Sequence, residues 1–154
     1  MVSSQGRKAS SAGKAFEDNL ASQLTAAGCE FVQQIRIENG SVFGGTKIVD
    51  FLILNHEDYS EGLVIEAKWQ DSLGSAEEKI VFSVACIKEA YLFPSMLVIE
   101  GDGFKKGVIP WARRQVGGNL IAVKNTSEFT KWLLRSTFIP LEEAFPNLIF
   151  DSEG

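Results

Sequence analysis

Two short apolar runs, residues 47–54 and 62–70, constrain this chain more than anything else in it. Each has the length of a strand, is rich in Val, Ile, Leu or Phe, and is bounded by turn-forming residues. Each also carries charge: Asp50 in the first, Glu66 and Lys68 in the second. Side chains alternate across a strand, so Glu66 and Lys68 share a face with Val64 and Gln70, while Leu63, Ile65, Ala67 and Trp69 take the other. Apolar residues on both sides of Glu66 indicate a strand covered on both faces. A carboxylate and an ammonium are costly there unless they meet a partner or a metal. If the two runs pair side by side, Asp50 joins them. Two carboxylates and an ammonium at the end of a buried sheet are hard oxygen donors with a cation beside them, a set suited to Mg²⁺ and to phosphodiester chemistry.

The rest of the chain supplies layers for such a sheet. Residues 12–27 read as a helix, with Phe16, Leu20, Leu24 and Ala27 at helical spacing, Glu17 at the edge of that stripe, and Gly28 as a stop. Residues 30–38 alternate Phe31, Gln33, Ile35 and Ile37 as a strand, and Asn39-Gly40 and Gly44-Gly45 mark turns. His56 lies in a polar stretch expected to be a surface turn. A second helix starts at Gly74-Ser75, with Ser75 and Glu78 in capping-box spacing, and runs to about Tyr91. Residues 95–100 form another strand, residues 101–119 an irregular basic segment and residues 120–124 a short strand. Ser127 is expected to cap a last helix through Arg135, and Trp69 and Trp132 to lie in the core. The order is helix, three strands, helix, strand, short strand, helix. That predicts an α/β domain with a mixed sheet flanked by helices on both faces.

Composition and charge narrow the possibilities. With 154 residues, 45% hydrophobic and 23% charged, the chain is globular, with enough length for one domain and a real core. No apolar run approaches a membrane span. Cys29 and Cys86 have neither zinc nor CxxC spacing, and both are expected to be reduced in a cytoplasmic protein. One histidine leaves little support for a histidine metal site or a Ser-His-Asp triad. Net charge is −5, yet residues 103–127 hold Lys105, Lys106, Arg113, Arg114 and Lys124 with no acid, and residues 1–16 hold Arg7, Lys8 and Lys14 with none. A molecule with one basic side can hold a phosphate backbone despite a negative total. Residues 1–13 are expected to be a flexible basic tail, and residues 14–137 the domain. Residues 138–154, apolar and interrupted by Pro140 and Pro146, form an extension expected to pack back on the domain or to bury against a second subunit.

Val49-Asp50 followed by Glu66-Ala67-Lys68 resembles the signature of the PD-(D/E)XK nuclease superfamily, an acid at the end of one strand and acid-x-Lys on the next. Val49 stands where the family usually has proline, a position that makes no metal contact. The resemblance spans roughly residues 14–100. It implies a restriction-endonuclease-like core and a Mg²⁺ ion, for which Mn²⁺ substitutes, held by Asp50, Glu66 and the backbone carbonyl of Ala67. It assigns Lys68 to the attacking water and the developing negative charge. Glu17 resembles the acid many members carry on the first helix, and Gln70 a glutamine that follows the lysine in some branches. Ser75 and Lys79, at the start of the second helix, would approach phosphate. Lys105, Lys106, Trp111, Arg113 and Arg114 suit DNA contacts.

The expected protein is a small Mg²⁺-dependent DNA endonuclease of a bacterial or phage-infected cell. It would cut double strands in the manner of homing or restriction enzymes, as a homodimer or larger even-numbered assembly. The alternatives are a Holliday-junction resolvase and, outside enzymes, a catalytically inactive DNA-binding protein of the same fold.

Overall fold

The computed structural model describes residues 4–70, 76–101, 103–104 and 106–147, with backbone alone for residues 4–10 and 76. Helix α1 (Ser4–Ala26) is followed by β1 (Phe31–Ile37), β2 (Lys47–Ile53) and β3 (Leu63–Trp69). Then come α2 (Ala76–Glu89), β4 (Ser95–Glu100), α3 (Val108–Arg114), β5 (Leu120–Lys124), α4 (Thr126–Arg135) and the single turn α5 (Leu141–Ala144). The strands form one sheet in chain order. β1, β2 and β3 pair antiparallel, while β3, β4 and β5 pair parallel through the crossovers α2 and α3. The fold is therefore the mixed, helix-flanked sheet of a restriction-endonuclease-like α/β domain.

Two cores sandwich the sheet. On one face Phe16, Leu20 and Leu24 of α1 and Phe129 and Leu133 of α4 pack on Phe51, Ile53, Leu63, Ile65, Met96 and Val98. On the other, Ile80, Val84 and Ile87 of α2 and Val108 and Ala112 of α3 pack on Val64, Leu97, Ile99 and Val123. Fully burying one such side chain stabilises the fold by about 1.5–3 kcal/mol. Gly28, at φ 83, ends α1 in the left-handed conformation, where a glycine carries no Cβ penalty.

β1 and β2 change face at the same level. Phe31 packs on the α1 side, whereas Ile35 and Ile37, of the same parity, pack on the α2 side. Likewise Phe51 and Ile53 face α1, and Val49 faces α2. A regular strand keeps such residues on one face. The break in β1 has a local cause: Gln34 has φ 55, a left-handed conformation unusual for glutamine. Pairing holds on either side of it, Gln33 with Phe51 and Ile35 with Val49, so β2 follows β1 through the change.

Several expectations need correction. α1 begins at Ser4, so the residues expected as a flexible tail include a helical turn and more; Arg7, Lys8, Ala9 and Ala12 are all compatible with a helix. The basic segment contains α3, in which Pro110 lies in the first turn, where its missing N–H loses no helix bond. α4 is capped by Asn125, not Ser127: the Asn125 side chain accepts from the Glu128 N–H, and the Glu128 carboxylate accepts from the Asn125 N–H. The expected Ser75 cap lies outside the described residues. His56 is buried, at 3% exposure, rather than on a surface turn. Its ring stacks on Trp132, its Nδ1 accepts from the Asp58 N–H, and its Nε2 lies 3.0 Å from Ser136 Oγ. Trp69 is 36% exposed and leans on Phe16 instead of sinking into the core. Asn55 Nδ2 donates to the Ile139 carbonyl at 2.8 Å and the Ile139 N–H donates to the Asn55 carbonyl. The start of the C-terminal extension thus packs on its own domain, with Phe138 in the α1-side core, while α5 buries no residue.

Candidate active site

The site lies where β2 and β3 part. Their ladder runs Ile53–Leu63, Leu52–Val64 and Phe51–Ile65, and there it stops. Beyond it the Ala67 N–H donates to Asp50 Oδ2 at 2.7 Å, so a carboxylate takes the place of a strand carbonyl. Ala67 is thereby tied to Asp50 through its amide. On its other side β3 stays paired with β4, from Val64–Ser95 to Trp69–Glu100, which fixes Glu66 and Lys68 on a rigid strand.

Glu66 is 1% exposed. Its Oε2 lies 3.4 Å from Lys47 Nζ and 3.7 Å from Lys68 Nζ. Its Oε1 is buried with no hydrogen-bond partner among the described residues. Burial pushes the Glu66 pKa up, the two lysines pull it down, and Asp50 adds to the upward push. An acid so placed has one oxygen committed and one without a partner, which a buried carboxylate rarely tolerates.

Glu17 projects from α1 toward Asp50. Its pKa rises to about 7, first through burial, then through the hydrogen bond and the charge it shares with Asp50; Lys68 opposes the rise. Near neutral pH Glu17 is therefore close to its own pKa, and a cation beside it would favour its charged form. Gln34 Nε2 donates to Glu17 Oε2 at 3.3 Å. The donor set suits a divalent cation: hard carboxylate oxygens, an acid pair short of positive charge, and the unpartnered Glu66 Oε1. The acids are nonetheless divided, Glu17 with Asp50 and Glu66 with the lysines. Among the described residues no three acids converge on one point as ready-made metal ligands.

Of the other expected residues, Gln70 adjoins the site, the notch where β2 and β3 part, and the described others lie on α2 and around α3. Gln70 follows on β3, held by its N–H to the Glu100 carbonyl and by the Gly103 N–H donating to its carbonyl. Gly101, at φ 113, packs so closely on the Gln70 backbone that a Cβ there would collide with it. Lys79 is exposed on α2, and Lys106 and Arg114 are exposed around α3. Arg113 is paired with Glu128 at 2.8 Å, and Trp111 is half-buried against the α2-side core. Ser75 and Lys105 lie outside the described residues.

Sequence reasoning missed three residues here. Lys47, the first residue of β2, is the second cation on Glu66. Its parity with Asp50 would have placed it on the opposite face in a regular strand, but it opens a run already known to hold an acid. Gln34 gave no signal, because its backbone conformation is not written in its side chain. Tyr91 Oη is buried with no hydrogen-bond partner among the described residues, close enough for Glu66 and Asp50 to help raise its pKa, although burial is the main cause. A separate apolar cleft of about 570 Å³, lined by Val42, Phe43, Val81 and Phe82, lies apart from these charges.

A family model described as a PD-(D/E)XK nuclease superfamily domain matches residues 8–137. No curated protein and no solved structure matches the chain.

Proposed function

The chain belongs to the PD-(D/E)XK nuclease superfamily, and from that premise we propose that it is a Mg²⁺-dependent DNA endonuclease that cuts both strands of a duplex, in the manner of homing or restriction enzymes. The observation that carries this reading is the fork between β2 and β3. There Asp50 caps the ladder on the Ala67 amide, while Glu66 and Lys68 sit on the rigid neighbouring strand.

Asp50, Glu66 and the Ala67 carbonyl would hold the cation, with Glu17 beside Asp50. Once bound, Mg²⁺ would polarise the scissile phosphate and lower the pKa of a coordinated water. The chain's own groups do the remaining work. Lys68, 25% exposed at its side chain, reaches from the buried strand toward solvent, where it can hold the attacking water and face negative charge developing on phosphate. Lys47 keeps the buried Glu66 compensated when Lys68 turns to substrate. Gln70 continues the same face of β3. Glu17, Asp50 and Lys68 are each half-buried, so they are within reach of a polymer backbone lying across the surface.

Lys79, Lys105, Lys106, Trp111, Arg114 and Ser75 are proposed DNA contacts, with Arg113 available when its pair with Glu128 opens. A duplex cut in both strands calls for two such sites, so an even-numbered assembly joined through residues 138–154 is part of the proposal. No helix among the described residues is long and apolar enough to cross a membrane.

The test is cleavage of plasmid, genomic DNA and a synthetic four-way junction in Mg²⁺, with Ca²⁺ as a binding control. The expected result is duplex cutting in Mg²⁺ or Mn²⁺ and binding without cutting in Ca²⁺. Selective cutting of the junction would make the protein a resolvase. Binding without cutting under every metal would make it an inactive DNA-binding member of the fold.

A further inference from the structure

Gln34 is the one residue of β1 whose backbone departs from a strand. Its φ of 55 is matched among the described non-glycine residues by Asn39 alone, at φ 59. Asn39 belongs to the turn after β1, where asparagine commonly adopts this conformation. Gln34 lies mid-strand, and glutamine has no such preference. Strain of this kind persists only where the surroundings impose it, and it collects at functional sites. The Gln34 side chain is exposed, so packing of that side chain does not impose the strain.

Three consequences of the distortion meet at the acids. By count Gln34 stands opposite Asp50, at the single gap in the β1–β2 pairing. The change of face places Val49 on the α2 side, with Lys47 of the same parity reaching Glu66. The Gln34 amide reaches α1 and donates to Glu17 Oε2 at 3.3 Å. A carboxylate beside another carboxylate tends to swing away; a neutral donor on its far oxygen holds it in place without adding charge.

We infer that Gln34 is a positioning residue of the cleavage site: its strained backbone aims its side-chain amide at Glu17 and holds that carboxylate against Asp50 for cation binding. This inference rests on the nuclease reading above. It concerns neither the acid-x-Lys strand nor any metal ligand itself, and it assigns a function to the irregular half of the hairpin.

Two substitutions separate strain from side chain. Gln34→Gly removes both the strain and the donor, since glycine accepts this φ freely. Gln34→Met keeps the length and the strain and removes only the donor. Mn²⁺ binding to the full chain would be measured by calorimetry, melting temperature by circular dichroism, and KM for duplex DNA by cleavage. Both variants should bind Mn²⁺ about tenfold more weakly, the scale of losing a partner that orients a metal ligand. KM for DNA should be unchanged. Gln34→Gly should melt no lower than the unsubstituted chain. If either folded variant binds Mn²⁺ as tightly as the unsubstituted chain, the inference is overturned and the nuclease reading stands. If the unsubstituted chain neither binds Mn²⁺ nor cuts DNA, the nuclease reading fails and takes this inference with it.

Discussion

β3 and the β1–β2 hairpin both carry charged side chains to the notch, and they do so in opposite ways. β3 is regular and paired with β4 from Val64 to Trp69, and it alternates faithfully: Leu63, Ile65 and Ala67 toward α1, Val64 and Glu66 toward α2. The hairpin changes face at Gln34 and Asp50, leaves β3 beyond Phe51, and fills the gap with an acid. The regular strand gives Glu66 and Lys68 a fixed frame. The irregular hairpin brings Asp50 and Lys47 to that frame from a strand that could not offer both in a regular conformation. A preorganised site needs the first, and an acid cluster drawn from separate elements needs the second.

The largest expected effect falls on the fixed frame and the acid that meets it. Glu66→Ala, Lys68→Ala and Asp50→Ala should each lower cleavage by about 100-fold or more, while gel-shift affinity for DNA in Ca²⁺ survives. Robust cleavage by two of these three folded variants would show that neither strand carries the chemistry. Glu17→Ala should cost less, about tenfold, because Glu17 stands beside Asp50 on a helix rather than on the forked strands. Wild-type cleavage across a Mg²⁺ titration would return Glu17 to an ordinary helix surface.

The acid pair also sets a dependence of stability on pH. Glu17 has an ordinary pKa of 4.5 and rises to about 7 in the fold. The folded protein therefore binds more protons than the unfolded chain between those values, and stability falls as pH rises through them. His56 acts in the other direction: burial lowers its pKa from 6.5, so its contribution is lost as pH falls below that value. As pH rises past 6.5 the histidine becomes neutral in the unfolded chain too, leaving Glu17 in control. Without divalent metal the melting temperature should fall between pH 6.5 and 8. Glu17→Gln should flatten that fall, as should Mg²⁺. An equal slope in the variant would show that Glu17 is not the group responsible.

The smallest expected effect lies outside both strands. Arg113→Ala with Arg114→Ala should reduce the salt dependence of DNA binding by about one unit of slope per lost phosphate contact. Arg113 already pairs with Glu128, so Arg114 should account for most of the change. An unchanged slope would show that this end of α3 faces away from DNA.

Local sequence pattern was enough for the regular parts of this protein. β4 and β5 span the apolar runs 95–100 and 120–124, and the period-two pattern around Glu66 is the one the fold uses. Asp50, Glu66 and Lys68 stood out because charge inside an apolar strand needs a reason. The α4 cap was expected at Ser127, whereas the capping-box spacing belongs to Asn125 and Glu128. Short local patterns of this kind act through neighbouring residues, so they survive in a linear reading. The rest depends on contacts between residues far apart in the chain. Periodicity assumes one backbone conformation along a strand, and the left-handed φ at Gln34 breaks that assumption without leaving a mark in composition. α3 was hidden by the Gly and Pro around it, which argue for a loop until a helix packs Val108 and Ala112 against the sheet. His56 turned inward because Trp132 and Ser136, distant in the chain, give its ring a stacking face and a hydrogen bond. The second lysine on Glu66, the amide on Glu17 and the fork that Asp50 fills all join groups from different strands and helices, and only packing brings such groups within a few ångströms of each other.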